Sequence, residues 1–142
     1  MANFPGLKVS CTPQTDRYDW VKTVMRDPNH TKGISPNPKS VSWNNNSGAA
    51  AISLAAHAGA KRIFLLGFDM KLGKNKAQHW HDVYHRMENM DAKRIMHLPF
   101  DRHLMGFPII AKDAERLGIT IINVCPDSAI QEFKKVSLSQ LI

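Results

Sequence analysis

The side chains from which chemistry could be built fall into three stretches. The first is Asn46-Ser47-Gly48, the start of an Ala-rich run (Ala49, Ala50, Ala51, Ala55, Ala56, Ala58) that ends at Gly59. Ser47 reads as the N-cap of a helix whose first turn, at Asn46, Ser47 and Gly48, offers free backbone N–H groups to an anion such as a phosphate. The second is Gly67-Phe68-Asp69, which follows the apolar run Ile63 to Leu66. That run does not alternate, so it suits a strand covered on both faces, and open α/β sheets place ligands at the carboxyl ends of such strands. The third is His79-Trp80-His81-Asp82-Val83-Tyr84-His85, in a segment rich in basic residues (Lys71, Lys74, Lys76). Residues 70–98 read as a lid loop: so long a connection within one domain is functional or disordered.

The imidazoles of His79 and His81, with Asp69, Asp82 or His85, would supply the N and O ligands that zinc or another divalent ion accepts. A metal-dependent phosphoester hydrolase is therefore one reading, although the Lys71, Lys74 and Lys76 flank repels a cation. Trp80 and Tyr84 suit stacking on a sugar or a base.

These stretches need a scaffold. Loop, small-residue helix and buried strand occupy Asn44 to Asp69. A second helix begins near Pro108 and runs to Leu117, with Ile110, Ala111, Ala114 and Leu117 at helical spacing. Gly118 ends it and a strand follows from Ile119 to Val124. Helix, glycine and strand thus occur twice, and right-handed crossovers place both strands parallel in one sheet. Before them, Leu7 to Thr12 alternates as a strand. Trp20 to Met25 is a second short strand with Val21, Thr23 and Met25 on one side, and Asn29 to Pro38 is an irregular surface loop. Phe100 to Gly106 is ambiguous. After Cys125-Pro126-Asp127-Ser128 the pattern predicts a short helix, Ala129 to Phe133, and an amphipathic tail, Val136 to Ile142.

The chain of 142 residues is sized for one domain. No apolar run reaches the ~20 residues that span a bilayer, and the first residues lack the basic start and apolar core of a secretory signal, so the expected location is cytoplasmic. Cys11 and Cys125 form no C-x-x-C pair and read as free buried thiols. Nineteen Lys and Arg against twelve Asp and Glu give +7, which favours anionic partners. The charges are scattered and not interleaved with aromatics, so a nucleic-acid platform is disfavoured and a nucleotide or sugar phosphate suits them equally well. Leu138, Leu141 and Ile142 could serve a homo-oligomer interface.

Taken in order, five motifs resemble the bacterial lipooligosaccharide sialyltransferases and related proteins of motility-associated and phage origin. They are Asn46-Ser47-Gly48 before an Ala-rich helix, Arg62 to Asp69 at the next strand, the His-bearing loop, a helix ending Ala114-Glu115-Arg116-Leu117-Gly118-Ile119, and the closing Cys125 to Phe133. The resemblance covers Ser42 to Phe133. It implies a Rossmann-like three-layer α/β sandwich with a mainly parallel sheet. It also implies a glycosyltransferase that uses a cytidine monophosphate sugar as donor and a carbohydrate as acceptor, without a metal or other cofactor. Carried over by position, Asn46, Ser47, Gly48, Gly67 and Asp69 match the donor-nucleotide contacts, and His103 matches the base that deprotonates the acceptor hydroxyl. Lys71 and Tyr84 are nearest to the family's phosphate-holding tyrosines, and His79 and His81 join them as substrate or phosphate contacts. The family's opening strand and Gly-rich turn have no counterpart before Leu7, so residues 1–142 read as a single domain lacking the first βα unit, the C-terminal part of a larger fold. A non-catalytic binding or assembly module is the remaining alternative.

Overall fold

A computed structural model describes residues 4–73 and 99–141. In chain order its elements are β1 (Val9–Ser10), a 3-10 turn at Pro13–Thr15, β2 (Lys22–Thr23), β3 (Met25–Arg26), β4 (Ser40–Val41) and α1 (Ser47–His57). These are followed by β5 (Arg62–Leu65), α2 (Phe100–Leu104), α3 (Phe107–Arg116), β6 (Thr120–Asn123), β7 (Lys134–Lys135) and a 3-10 turn at Leu138–Gln140. The architecture is mixed α/β. Every strand pairing among the described residues is parallel: β1 with β2, β3 with β4, and β5, β6 and β7 in one three-stranded sheet. The expected pairing of the two strands that follow helices holds, with Arg62 opposite Thr120 and Leu65 opposite Asn123.

The single strand expected from Trp20 to Met25 is instead split between two partners. The N–H groups of Lys22 and Val24 donate to Lys8 and Ser10 O at 2.8 Å, whereas Asp27 N–H donates to Val41 O at 2.9 Å. Successive peptide groups of an extended chain point to opposite edges. The even positions therefore serve β1 and the odd position serves β4, and residues 22–27 run as a central strand between the two.

Helix α1 forms where propensity and capping agree, but its cap is Asn46 and not Ser47. The Asn46 carboxamide oxygen accepts from Gly48 N–H at 2.9 Å and Ala49 N–H at 3.3 Å, with Asn46 in extended conformation. The asparagine wins because its side chain can reach two first-turn donors from outside the helix. Ala49, Ala50, Ile52 and Ser53 are all buried. A helix buried on more than one side needs small side chains, which explains the alanines. One side packs with Leu65, Phe107, Ile110, Ile121 and Phe133 in the core. Ser53 Oγ on that helix accepts from Ser35 N–H at 3.3 Å, and His57 Nε2 bonds Ser40 O at 3.0 Å. Gly48 permits the closest approach: a Cβ there would lie 2.8 Å from the Phe68 ring.

Phe107, fully buried, centres the core, with edge-on contacts to Phe68 (6.4 Å) and Phe133 (6.1 Å). Each such pair contributes about 0.5–1.5 kcal/mol beyond area burial. The connection between β3 and β4 is irregular, as expected, yet it is not merely surface. Ile34 and Ser35 are buried, and Ile34 N–H donates to Asp113 Oδ2 on α3 at 2.8 Å. Asp27 organises its start. Its carboxylate accepts from Asn29 and His30 N–H at 2.9 and 3.0 Å and from the buried Ser35 hydroxyl. The Ser35 hydrogen bond above all, then the two backbone donors and the charge of His30, hold the carboxyl at about 2 against the upward push of burial.

Three further expectations change. The helix expected over Ala129 to Phe133 does not form: the segment is irregular and leads into β7, because Ser128 accepts Ile130 N–H at 3.1 Å and Lys135 Nζ bonds Ser128 O at 2.6 Å, holding the chain open. The tail from Val136 gives only the 3-10 turn, with Leu138 and Leu141 exposed. Cys11 and Cys125 are free but half-buried rather than buried. Phe100 to Leu104 resolves as a short helix. Nearly all of the lid expected over 70–98, including His79, His81 and Tyr84, lies outside the described residues.

Two outcomes follow for thermal unfolding. Asn46→Ala should lower stability by about 1 kcal/mol while Ser47→Ala stays within a few tenths, the reverse of the ranking expected were Ser47 the cap. Because the folded-state value of Asp27 lies below the unfolded one, its contribution is present above about pH 4 and is lost as pH falls through about 2. Melting temperatures of Asp27→Asn should accordingly fall less steeply over that acid window than those of the parent.

Candidate functional site

The carboxyl ends of β4 and β5 meet the start of α1, and the sequence shows why. Beyond β4 the chain must turn sharply to enter the helix, and Asn44 and Asn45 do this in the left-handed region at φ 53° each. Asparagine is the non-glycine residue best suited to that conformation. Asn44 is 1% exposed. Its carboxamide accepts from Gly33 N–H at 2.7 Å and donates to Gly33 O and Ser42 O, both at 3.0 Å. Beyond β5, Met70 is also left-handed at φ 51°. Backbone held in sparsely populated conformations collects at ligand sites, where surrounding structure over-determines it.

The loop after β5 is fixed from the opposite side. Gly67 N–H donates to Cys125 Sγ at 3.1 Å, Ser128 Oγ donates to Phe68 O at 2.5 Å, and Ala129 N–H donates to Asp69 O at 2.8 Å. Asn46 Nδ2 reaches Met70 Sδ at 3.4 Å. The structure therefore brings Asn46, Gly48, Gly67 and the Asp69 backbone into one connected edge. Ser47, Asp69 and Lys71 are exposed there.

The expectation of several free N–H groups at the helix start is corrected. Asn46 N–H donates to Trp43 O at 3.0 Å, and the N–H groups of Gly48 and Ala49 are taken by the Asn46 side chain. Only Ser47 N–H remains, among the described residues, as a first-turn donor without a partner. The same carboxyl edge carries two buried polar atoms with no partner among the described residues: Ser42 Oγ, just past β4, and Asn123 Nδ2, at the end of β6. An unsatisfied buried group costs about 1–3 kcal/mol.

His103 sits on α2, half-buried, with its backbone N–H bonded to Pro99 O at 2.8 Å. No hydrogen bond or ion pair among the described residues joins its ring to the Asn46–Asp69 edge. Burial, and secondarily the Arg102 charge, push its pKa below the usual imidazole value. The ring is neutral at physiological pH, the form that accepts a proton. Among the described residues no group of three or more His, Cys, Asp or Glu is placed to hold a metal ion. His79 and His81 lie outside them.

Sequence reasoning passed over Arg26, Trp43 and Asn44. The Arg26 guanidinium lies 3.8 Å from the centroid of the Trp43 ring and its Nε donates to Cys11 O at 3.1 Å. Arg26 is one of nineteen cations scattered along the chain, and nothing local marks it as paired to a tryptophan seventeen positions away. Asn44 did carry a signal, since an Asn-rich turn ahead of a helix calls for left-handed residues.

The nearby cleft between α1 and the strands β1 to β4, about 290 Å³, includes Ser47, Trp43 and Cys11 in its wall. A larger cavity of about 580 Å³, lined by Phe4, Lys8, Tyr18 and Trp20, opens elsewhere along β1. No helix among the described residues is long and apolar enough to cross a membrane.

A histidine titration by NMR should give His103 a midpoint below about 6.5, and Arg102→Gln should raise it only in part, since burial is the larger cause. No model of a known protein family, no curated protein and no solved structure matches this chain.

Proposed function

We propose that this chain is a glycosyltransferase-like protein that binds a cytidine nucleotide-sugar on a Rossmann-like, three-layer α/β fold, in the manner of the bacterial sialyltransferases its motif order resembles. The observation that carries the reading is the junction of the β4 and β5 carboxyl ends with the start of α1. There, among the described residues, Ser47 N–H is the one first-turn donor left without a partner, and the Gly67–Asp69 loop is pinned so that an exposed carboxylate stands at the same edge. Parallel α/β sheets bind ligands at that edge, and a helix start favours phosphate.

In this reading Ser47 donates to the donor phosphate, Lys71 adds a cation, and Asp69 accepts from donor hydroxyls. His103, neutral at physiological pH, takes the proton of an acceptor hydroxyl as its oxygen attacks the anomeric carbon. The bond from that carbon to the phosphate oxygen breaks and cytidine monophosphate leaves with the electron pair. The net positive charge of the chain, +7, suits an anionic donor. No metal is required, because the departing phosphate is balanced by protein donors.

Isothermal titration of cytidine monophosphate into the folded chain tests this. Saturable binding is expected, weakened about tenfold by Ser47→Pro, which removes the N–H at the first helical position, where proline is tolerated, and similarly by Asp69→Ala. A folded chain that takes up no cytidine nucleotide overturns the proposal.

A further inference from the structure

The guanidinium of Arg26 is held in place before any ligand arrives. One side of it lies against Trp43, and Nε is committed to Cys11 O. The two terminal nitrogens, four N–H donors in a rigid plane, have no partner among the described residues. Most surface arginines sample many rotamers, and fixing one on binding costs conformational entropy. Here that cost is met within the fold. A stacked guanidinium with its two terminal nitrogens uncommitted is suited to recognise phosphate through two parallel hydrogen bonds.

Its position adds the second half of the argument. Trp43 and Cys11, the two groups that hold Arg26, both line the cleft between α1 and the strands, and Arg26 itself walls a neighbouring cavity of about 240 Å³. The cleft is apolar inside, with Val24, Val41, Ala51 and Leu54 in its walls, and polar where Ser47 stands. Its volume of about 290 Å³ lies just below the roughly 300–1,000 Å³ of ligand sites, a size that suits one nucleoside better than a dinucleotide. The cavity of about 580 Å³ is larger but has a weaker claim on an anion. The ammonium of Lys8 there already donates to Phe4 O and lies 5.7 Å over both the Phe4 and Trp20 rings.

We infer that the nucleoside monophosphate part of the ligand enters this cleft, its base between the apolar strand face and α1, and its phosphate on Arg26 and the Ser47 N–H. The inference rests on the nucleotide reading above and adds to it a base pocket and a phosphate anchor contributed by the N-terminal strands.

The test uses cytidine monophosphate, cytidine and inorganic phosphate as probes, with calorimetry and the tryptophan indole N–H signals in NMR. Cytidine monophosphate is expected to shift the Trp43 indole signal, assigned with Trp43→Phe. Arg26→Gln, a change at an exposed site, should weaken cytidine monophosphate about tenfold or more while leaving cytidine unchanged. Ala51→Leu, on the exposed side of α1 that walls the cleft, should weaken both. If cytidine monophosphate binds and Asp69→Ala weakens it, but Arg26→Gln and Ala51→Leu do not and the Trp43 signal stays put, the cleft is wrong while the nucleotide reading stands. If none of the probes binds the folded parent chain, both fall together.

Discussion

One carboxamide, that of Asn44, ties together three parts of this structure that are far apart in sequence. Its oxygen and nitrogen close on both backbone groups of Gly33, its own N–H donates to Thr31 O at 2.8 Å, and its side chain fills the space that a Cβ on Gly106 would need, 2.7 Å from its oxygen. The irregular connection, the turn into α1 and the start of α3 are thereby fixed to a single buried group. Because the residue is both left-handed and fully bonded, no smaller or apolar side chain can take over both tasks. The edge at which Ser47 and Asp69 are exposed inherits its geometry from this arrangement.

The second constraint is thickness. Helix α1 lies between the N-terminal strands and the aromatic core, and an alanine-rich helix is the one kind narrow enough to be buried on both sides. Its slimness also leaves the cleft beside the strands unfilled. Where bulkier residues would have closed the gap between helix and sheet, Ala51 leaves room. Close packing at Gly48 against Phe68 and open space a turn later are two consequences of one composition.

Long elements with matching local signals were legible in the sequence: the Ala-rich helix, the apolar strands β5 and β6, the helix after Gly106, and the parallel relation of the two strands. What could not be read depended on partners distant in sequence. Trp20 to Met25 alternates as one strand should, but only the arrangement of neighbours decides that β1 takes one set of its peptide groups and β4 the other. Ala129 to Phe133 has helical composition, overridden by Ser128 and Lys135 and by pairing of the next two residues with β6. The choice of Asn46 over Ser47 as cap turned on one position, the usual scale of error where two capping residues stand side by side. At the candidate site the backbone positions were legible because glycine and asparagine announce unusual turns. Arg26 and Trp43 were not, since a stacked pair leaves no local pattern.

The central strand at residues 22–27 gives this domain an uneven tolerance to change. The side chains of Lys22 to Met25 are exposed or half-exposed, so substitutions there meet little resistance from packing, whereas Arg26 is stacked on Trp43 and Asp27 is buried and bonded. Its length is another matter, since alternate peptide groups serve opposite neighbours. Adding or removing one residue between Lys22 and Asp27 would turn the donors meant for β1 toward β4 and the reverse, unzipping both edges at once. Away from Arg26 and Asp27, variation through this stretch is therefore free in letter and fixed in count, and the exposed turn that precedes it, not the strand, is where insertions can accumulate.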